Sequence, residues 1–417
     1  MRILHVTQGY APAIGGTEWL IQRVSEELVR QYGDEVTVFT TNCYSGEAFF
    51  TPRLPRMPAG WQEINGVRVR RFPVHSHASA WLRWPQRLAY GLNLPGNQRL
   101  RALYGGPLIS GLQQAIEKQP ADIVAASSFP LLHMFAALSG AHRSGRPAVL
   151  HGGLHPDDPW GFDRPMIYEA ARAADGYIAN TQFEADYVLQ RGMARDRITT
   201  IGTGVDYECF DRASREAARA RLGLSEAPVV GFIGQMGQHK GVDTLLRAMP
   251  LVWQARPEAQ LLIAGARTLY GEYVERAVRA WPEAYRRQTR LVFNFAEPEK
   301  YELFKALDVL AYPSGYESFG IAFLEAWACG IPVIGCWRGA IPWVIEPGRD
   351  GLLVEFRNFR MLAEAILLLL ANPAWAGRLG ARGRRKTETQ YNWPEIARRF
   401  RAVYVEAVQR RGQAANR

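Results

Sequence analysis

Apolar positions along the chain follow two recurring patterns. Short, nearly continuous runs at 2–7, 35–40, 66–72, 122–126, 148–151, 176–180, 229–233, 260–265, 290–293 and 308–312 are bounded by turn residues. Strands buried on both faces of a parallel sheet read this way. Between runs, apolar residues return every three or four positions: Leu20, Ile21, Val24, Leu28 and Val29 in one stretch, Ile396, Phe400, Val403 and Tyr404 in another. That spacing predicts helices with one buried face. The alternation predicts an α/β protein of two βαβ-type domains, each a Rossmann-like parallel sheet, facing a cleft.

One stretch, 308–336, carries more than fold. An apolar run stops at Pro313, a helix is predicted over 321–329 with Gly330 as its stop, and a second apolar run follows at 332–335. Nearly every residue of that helix is apolar, and Glu325 is the exception. A carboxylate among apolar neighbours is costly unless something hydrogen-bonds it, and no Lys, Arg or His stands three or four residues away. Its partner is therefore expected outside the helix. Glu317 lies in the loop, so the two carboxylates flank the helix start. Gly320 permits close backbone approach, and free N–H groups at a helix N-terminus suit an anion such as a phosphate. An anion flanked by two hydroxyl-accepting carboxylates suggests a sugar nucleotide.

Three further loops have chemical content. Gly15-Gly16-Thr17-Glu18 separates a strand from a helix, with Thr17 a candidate cap, although such Gly loops are also ordinary turns. His151 ends a predicted strand, where open α/β sheets bind ligands. The segment from Gly234 to Gly241 contains Gln235 and Lys240, and the chain has only five Lys, so Lys240 stands out from the composition.

Length and charge sharpen this picture. The 417 residues allow two or three domains, and 47% hydrophobic with 22% charged residues is an ordinary globular composition. The net charge of +10 is uneven: between Arg53 and Arg101 nine Arg stand against Glu63 alone, and between Arg378 and Arg417 eleven basic residues stand against three Glu. Two basic segments on a mildly acidic remainder imply an anionic partner or, more blandly, solvated helix faces. Trp81, Trp84 and Leu88 fit either a membrane interface or a core. The four cysteines, Cys43, Cys209, Cys329 and Cys336, lack metal-ligand spacing, and no signal-like segment precedes the first strand. A cytoplasmic setting is expected, with no bilayer-spanning segment.

The 308–336 stretch resembles the Glu-x7-Glu signature of the family-4 retaining glycosyltransferases, which have the two-domain GT-B architecture. The resemblance extends to the Gly15-Gly16 loop, to His151, to Thr181 after 176–180, to Gly204-Val205-Asp206, to the Gln235–Lys240 loop and to 295–306, and is weakest over 43–105. It implies an N-terminal, acceptor-side domain over 1–206, a nucleotide-sugar donor domain over 207–392, and a helix at 393–411 that packs back onto the first domain. It assigns catalytic roles to His151, Lys240 and Glu317. Donor binding falls to Gly15, Gly16, Gln235, Lys240, Glu317, Phe319, Gly320 and Glu325, with Glu325 on the ribose hydroxyls. Gln235 departs from the family's Arg, which leaves more of the diphosphate charge to Lys240 and the helix termini.

These residues lead to an expected retaining transfer of a hexose from a UDP- or GDP-linked sugar to an acceptor hydroxyl, in glycolipid or cell-envelope polysaccharide synthesis. No resident cofactor or metal is expected, and no nucleic-acid partner. The acceptor side is expected to meet a glycan or lipid-linked acceptor and an anionic membrane surface, placing the protein at the inner face of the membrane. A sugar-nucleotide 2-epimerase and a non-catalytic sugar-nucleotide binder remain as alternatives, the second because of Gln235.

Overall fold

Almost every apolar run becomes a strand, and nearly all strands run parallel. The computed structural model describes residues 1–13, 15–156 and 158–415. It divides into two compact units, one formed by Met1–Thr203 with Trp393–Arg417 and the other by Gly204–Asn392.

The first unit is built on eight strands: β1 (Arg2–Val6), β2 (Glu35–Thr41), β3 (Gly60–Ile64), β4 (Val67–Phe72), β5 (Ile123–Ser127), β6 (Ala148–His151), β7 (Gly176–Ala179) and β8 (Ile198–Thr200). Their order is β3-β4-β2-β1-β5-β6-β7-β8, parallel except for the edge strand β3, which pairs antiparallel with β4. The second unit holds β9 (Val229–Ile233), β10 (Gln260–Gly265), β11 (Thr289–Phe293), β12 (Val309–Ala311), β13 (Val333–Cys336) and β14 (Gly351–Val354), in the order β11-β10-β9-β12-β13-β14 and parallel throughout. Residues of β5, β9 and β10 are buried at every position, which is why they read as unbroken apolar runs.

Strand order reverses between β1 and β5 in the first unit and between β9 and β12 in the second. Ligands of open α/β sheets gather outside the carboxyl ends of strands at such a reversal. Those ends lead into the Gly15-Gly16 loop in one unit, and into the 234–241 and 313–320 loops in the other. Helix Gly16–Tyr32 begins directly after Gly15, so Thr17 lies inside its first turn, and no side chain among the described residues caps it. Thr181 does occupy the cap position of helix Gln182–Gln190, without a side-chain cap hydrogen bond there.

Helix Trp393–Ala415 buries Ile396, Phe400 and Tyr404 in the first unit, with the Tyr404 hydroxyl 3.1 Å from His5 Nε2. Its basic residues brace that unit. Arg401 pairs with buried Asp34 at 2.8 Å, Arg399 donates to the carbonyl of Thr200 at 2.6 Å, and Arg410 to that of Asp196 at 2.7 Å. In the second unit, Arg384 pairs with Asp211 and Lys386 with Asp350. Arg384, Lys386, Arg398 and Arg401 of this basic run are thus paired with carboxylates of the protein itself, which offsets part of its charge.

The segment 43–105 folds as a short 3-10 turn (Gly46–Phe49), the β3–β4 hairpin, and helices Ser76–Gly91 and Asn97–Gly105. Three of its arginines are structural. Arg71 and Arg101 are only 2% and 4% exposed, and donate to the carbonyls of Tyr10 and Trp160 respectively, while Arg56 donates to Cys43 Sγ and Ser76 Oγ. Trp81, Trp84 and Leu88 do not enter a core: they are 84%, 71% and 62% exposed. Among the described residues no single helix is long and apolar enough to cross a membrane.

Candidate functional site

In the second unit two carboxyl-end loops converge. After β12, buried Tyr312 stacks on Phe232 of β9 with ring centroids 4.8 Å apart, and the chain turns at Pro313. Gly241 has φ 76°, and a Cβ there would lie 2.2 Å from the Pro313 carbonyl oxygen, so the loops can touch only because this residue is glycine. The Gly315 N–H donates to the His239 carbonyl at 2.7 Å, fixing the contact.

This contact brings Lys240 and Glu317 together. Lys240 Nζ stands 2.7 Å from Glu317 Oε1, with side chains only 14% and 11% exposed. Gly320, at φ 100°, starts helix Ile321–Ala328, whose first turn no side chain caps among the described residues. Phe319 is buried and packs edge-on against Tyr391 at 5.3 Å, so its backbone is what remains for a ligand. Gln235 is exposed at the start of the other loop.

Glu325 finds its partner on a different helix. Lys300, from helix Glu297–Lys305, lies 2.7 Å from its Oε1, with side-chain exposures of 18% and 12%, and also contacts Glu297. Burial raises the Glu325 carboxyl above its ordinary value, with the Lys300 ammonium working against that rise. Burial likewise opposes the Lys300 charge, but Glu325 and Glu297 outweigh it and hold the ammonium charged. The need for such a partner was legible in the sequence, whereas its identity was not.

The remaining candidates lie in the first unit. A Cβ on Gly15 would fall 2.2 Å from Glu18 Oε2, so glycine here lets Glu18 fold back, where it accepts from Gln8 Nε2 at 3.0 Å. Gly16 opens the helix. His151 closes β6 and is 4% exposed, with Nε2 2.8 Å from Asn180 Oδ1 and its ring 5.8 Å from that of Phe400. Facing a carbonyl oxygen, Nε2 carries the proton, which leaves Nδ1 as an acceptor with no partner among the described residues. Burial lowers the His151 pKa to about 4, so the ring is neutral at physiological pH. Sequence reasoning missed Glu184. It is buried, and accepts from the backbone N–H groups of Leu154 at 3.1 Å and Asn180 at 2.9 Å and from the Tyr177 hydroxyl at 2.8 Å, fixing the loop that follows His151.

The family model described as Glycosyl transferase 4-like domain matches residues 15–204, and that described as Glycosyl transferases group 1 matches 214–386. A D-inositol 3-phosphate glycosyltransferase of Catenulispora acidiphila is 33% identical over 245 residues, 57% of this chain and 58% of the relative. A GDP-mannose-dependent monoacylated alpha-(1-6)-phosphatidylinositol monomannoside mannosyltransferase of Corynebacterium glutamicum is 33% identical over 211 residues, 48% of this chain and 54% of the relative. The matched segment thus spans little more than half the length of these curated relatives. Among solved structures, a sucrose-phosphate synthase from Thermosynechococcus elongatus superposes with TM-score 0.72 at 22% identity, covering 97% of this chain and 99% of that one. The Anabaena protein HepE, solved with UDP and glucose, gives TM-score 0.70 at 19% identity, covering 96% and 98%.

Proposed function

Because this chain belongs to the family-4-type glycosyltransferases, with their two parallel-sheet domains of the GT-B fold, we propose that it transfers a hexose from a nucleoside diphosphate sugar to an acceptor hydroxyl with retention of configuration. The observation that carries this reading is the Lys240–Glu317 pair, built by two loops at a strand-order reversal beside the Gly320 helix start.

The parts divide the work as follows. Glu317 and the backbone at Phe319 and Gly320 take the sugar hydroxyls, and Glu325, paired with Lys300, accepts from the ribose. Lys240 moves from Glu317 to the diphosphate when the donor binds. As the bond from the anomeric carbon to phosphate breaks, negative charge grows on the leaving oxygen, where Lys240 and the uncapped helix N-terminus stabilise it. The acceptor oxygen forms its bond on the same face, and its proton passes to the leaving phosphate. In the first unit the Gly15-Gly16 loop gives close backbone approach, and neutral His151 offers an uncharged hydrogen bond to a hydroxyl. The cation and helix dipole meet the leaving-group charge without a resident metal in this scheme. A relative named for GDP-mannose and a neighbour solved with UDP support either base. The relatives' phosphorylated and lipid-linked acceptors support an acceptor of that class; in this reading a lipid-linked acceptor is met at the inner face of the membrane.

Incubation with UDP- and GDP-sugars, with and without a lipid extract and with and without EDTA, tests the proposal. Expected is acceptor-dependent release of nucleoside diphosphate, unaffected by EDTA, and an α-linked product from an α-linked donor. A β-linked product rejects retention, an acceptor-independent C2 epimer selects epimerase chemistry, and tight nucleotide binding without turnover selects a silent binder.

A further inference from the structure

We propose that helix Ser76–Gly91 docks the first unit on a bilayer rich in anionic phospholipid, its outer face lying in the interface. The helix is turned the wrong way for a water-exposed element. Its inward positions are Ser76, Ser79, Gln86 and Ala89, exposed by only 2%, 1%, 3% and 4%. Its outward positions are Trp81, Trp84 and Leu88, exposed by 84%, 71% and 62%, and Leu92 continues the stripe at 62%. A surface helix in water normally shows the opposite arrangement. Indole rings and leucines on one face, with arginines beside them, suit the boundary between headgroups and acyl chains.

Charge selects the occupant. Arg83 and Arg87 are exposed on this helix, and the Arg87 guanidinium lies 5.6 Å from the Trp84 ring centre. Several exposed arginines on other helices pair with a carboxylate one turn away, as in Arg398–Glu395, Arg279–Glu275 and Arg287–Glu283. Here the sequence contains no acidic residue between Glu63 and Glu117. An apolar stripe flanked by cations without local counter-charges is complementary to anionic headgroups above acyl chains, whereas a protein core would leave the cations buried.

The start of the helix is also tied to the wall of a cavity with a mixed polar and apolar lining. The His75 backbone donates to the Leu108 carbonyl at 2.9 Å, and its Nε2 lies 2.9 Å from Ser110 Oγ. Leu108 and Ile109, with Leu112, Leu132 and Phe135, line a cavity of about 680 Å³ with Arg143 among its walls. For its purpose the inference rests on the lipid-linked acceptor proposed above, but its test does not require turnover.

Flotation of the full chain with vesicles of phosphatidylcholine alone, or with about one third phosphatidylglycerol, at low and high salt, tests the proposal. Wild type is expected to float with the anionic vesicles at low salt and to detach at high salt, since headgroup attraction is screened. Arg83→Glu/Arg87→Glu should lower partitioning by about 30-fold or more, from the loss of two cations near the surface. Trp81→Ser/Trp84→Ser should lower it by about tenfold or more. Arg286→Glu/Arg287→Glu, an equal charge change on an exposed helix of the second unit, should float as wild type. Melting temperature and calorimetric binding of free UDP and GDP, measured on each variant, establish that they fold. Absence of nucleotide binding in wild type would count against the proposed function and leave the docking result standing. Failure of wild type to float at low salt, or normal flotation of either helix variant, overturns the docking proposal.

Discussion

Around β9 and β12, shielded ionisable groups come as opposite charges: Lys240 with Glu317 and Lys300 with Glu325. In the first unit, built on a similar strand order, the most buried titratable rings are neutral. His5, His133 and His151 are 1%, 1% and 4% exposed, and burial lowers their pKa values to about 3, about 4 and about 4. The same scaffold therefore hosts two kinds of polar site. Ion pairs can exchange partners with a ligand that brings its own charge, such as a diphosphate. A neutral imidazole can hydrogen-bond a hydroxyl without adding charge to the site.

The largest consequence is acid sensitivity. A histidine whose folded pKa lies below the unfolded value of about 6.5 binds its proton more readily in the unfolded chain. Stability is therefore lost as pH falls through 6.5, and the loss continues down to the folded value. At about pH 5 each of the three imidazoles has cost the first unit about 2 kcal/mol. Glu184 opposes this in part, because burial raises its carboxyl and favours the folded state on acidification. In the second unit Glu325 and Asp350 are also raised by burial, with no comparable buried imidazole among the described residues to offset them. Hydrogen exchange resolved by peptide should show β1, β5 and β6 losing protection at higher pH than β9, β10 and β12. Simultaneous loss in both units would break the comparison.

Next in size is Lys240→Ala. It removes the cation proposed to meet leaving-group charge, so single-turnover rates at saturating donor should fall about 10²–10³-fold, with a smaller change in melting temperature. His151→Asn, which removes a neutral group, should cost less. Near-normal turnover of Lys240→Ala would mean that the diphosphate is held elsewhere.

Glu325→Ala should weaken binding of the free nucleoside diphosphate by about 1.5–3 kcal/mol, the range for a hydrogen bond to a charged group. Lys300→Met gives a sharper result. Burial already raises the Glu325 carboxyl and Lys300 restrains it, so the variant's carboxyl rises further. Affinity should then decline as pH falls toward the raised value, at a pH where wild type still binds. Calorimetry across pH decides, and a pH dependence identical to wild type would separate Glu325 from the nucleotide.

What the sequence disclosed follows from the same physics. Parallel strands were legible because strands buried on both faces need continuous apolar runs, as in Val229–Ile233 and Gln260–Gly265. Glu325 was legible as a carboxylate needing a cation from outside its helix. That the cation is Lys300 depends on how two helices pack, which helical spacing does not encode. His151 was legible by position, but its neutrality depends on burial beneath Phe400 and beside Asn180. Periodicity also places Trp81, Trp84 and Leu88 on one face without saying which way it points, and here it points outward. Counting charges overstated the basic surface, because Arg71, Arg101 and Arg401 are bound to carbonyls or to Asp34 inside the first unit.

The smallest effect concerns the residue that fits the contrast least. Gln235 opens a loop whose other polar anchor, Lys240, is charged, yet it is itself uncharged and exposed. If the second unit is arranged for a diphosphate, Gln235→Arg adds a second cation there. Because the position is solvated, the gain is limited to about two- to fivefold in affinity for the nucleoside diphosphate. That gain should shrink as salt rises. In the Lys240→Ala background the same substitution should recover part of the lost turnover, since a planar guanidinium can make paired hydrogen bonds to phosphate oxygens. Titrations of the single and double variants at low and high salt measure both effects. An unchanged affinity together with no recovery would place the Gln235 side chain away from the diphosphate, and Lys240 would then carry the side-chain charge of that loop alone.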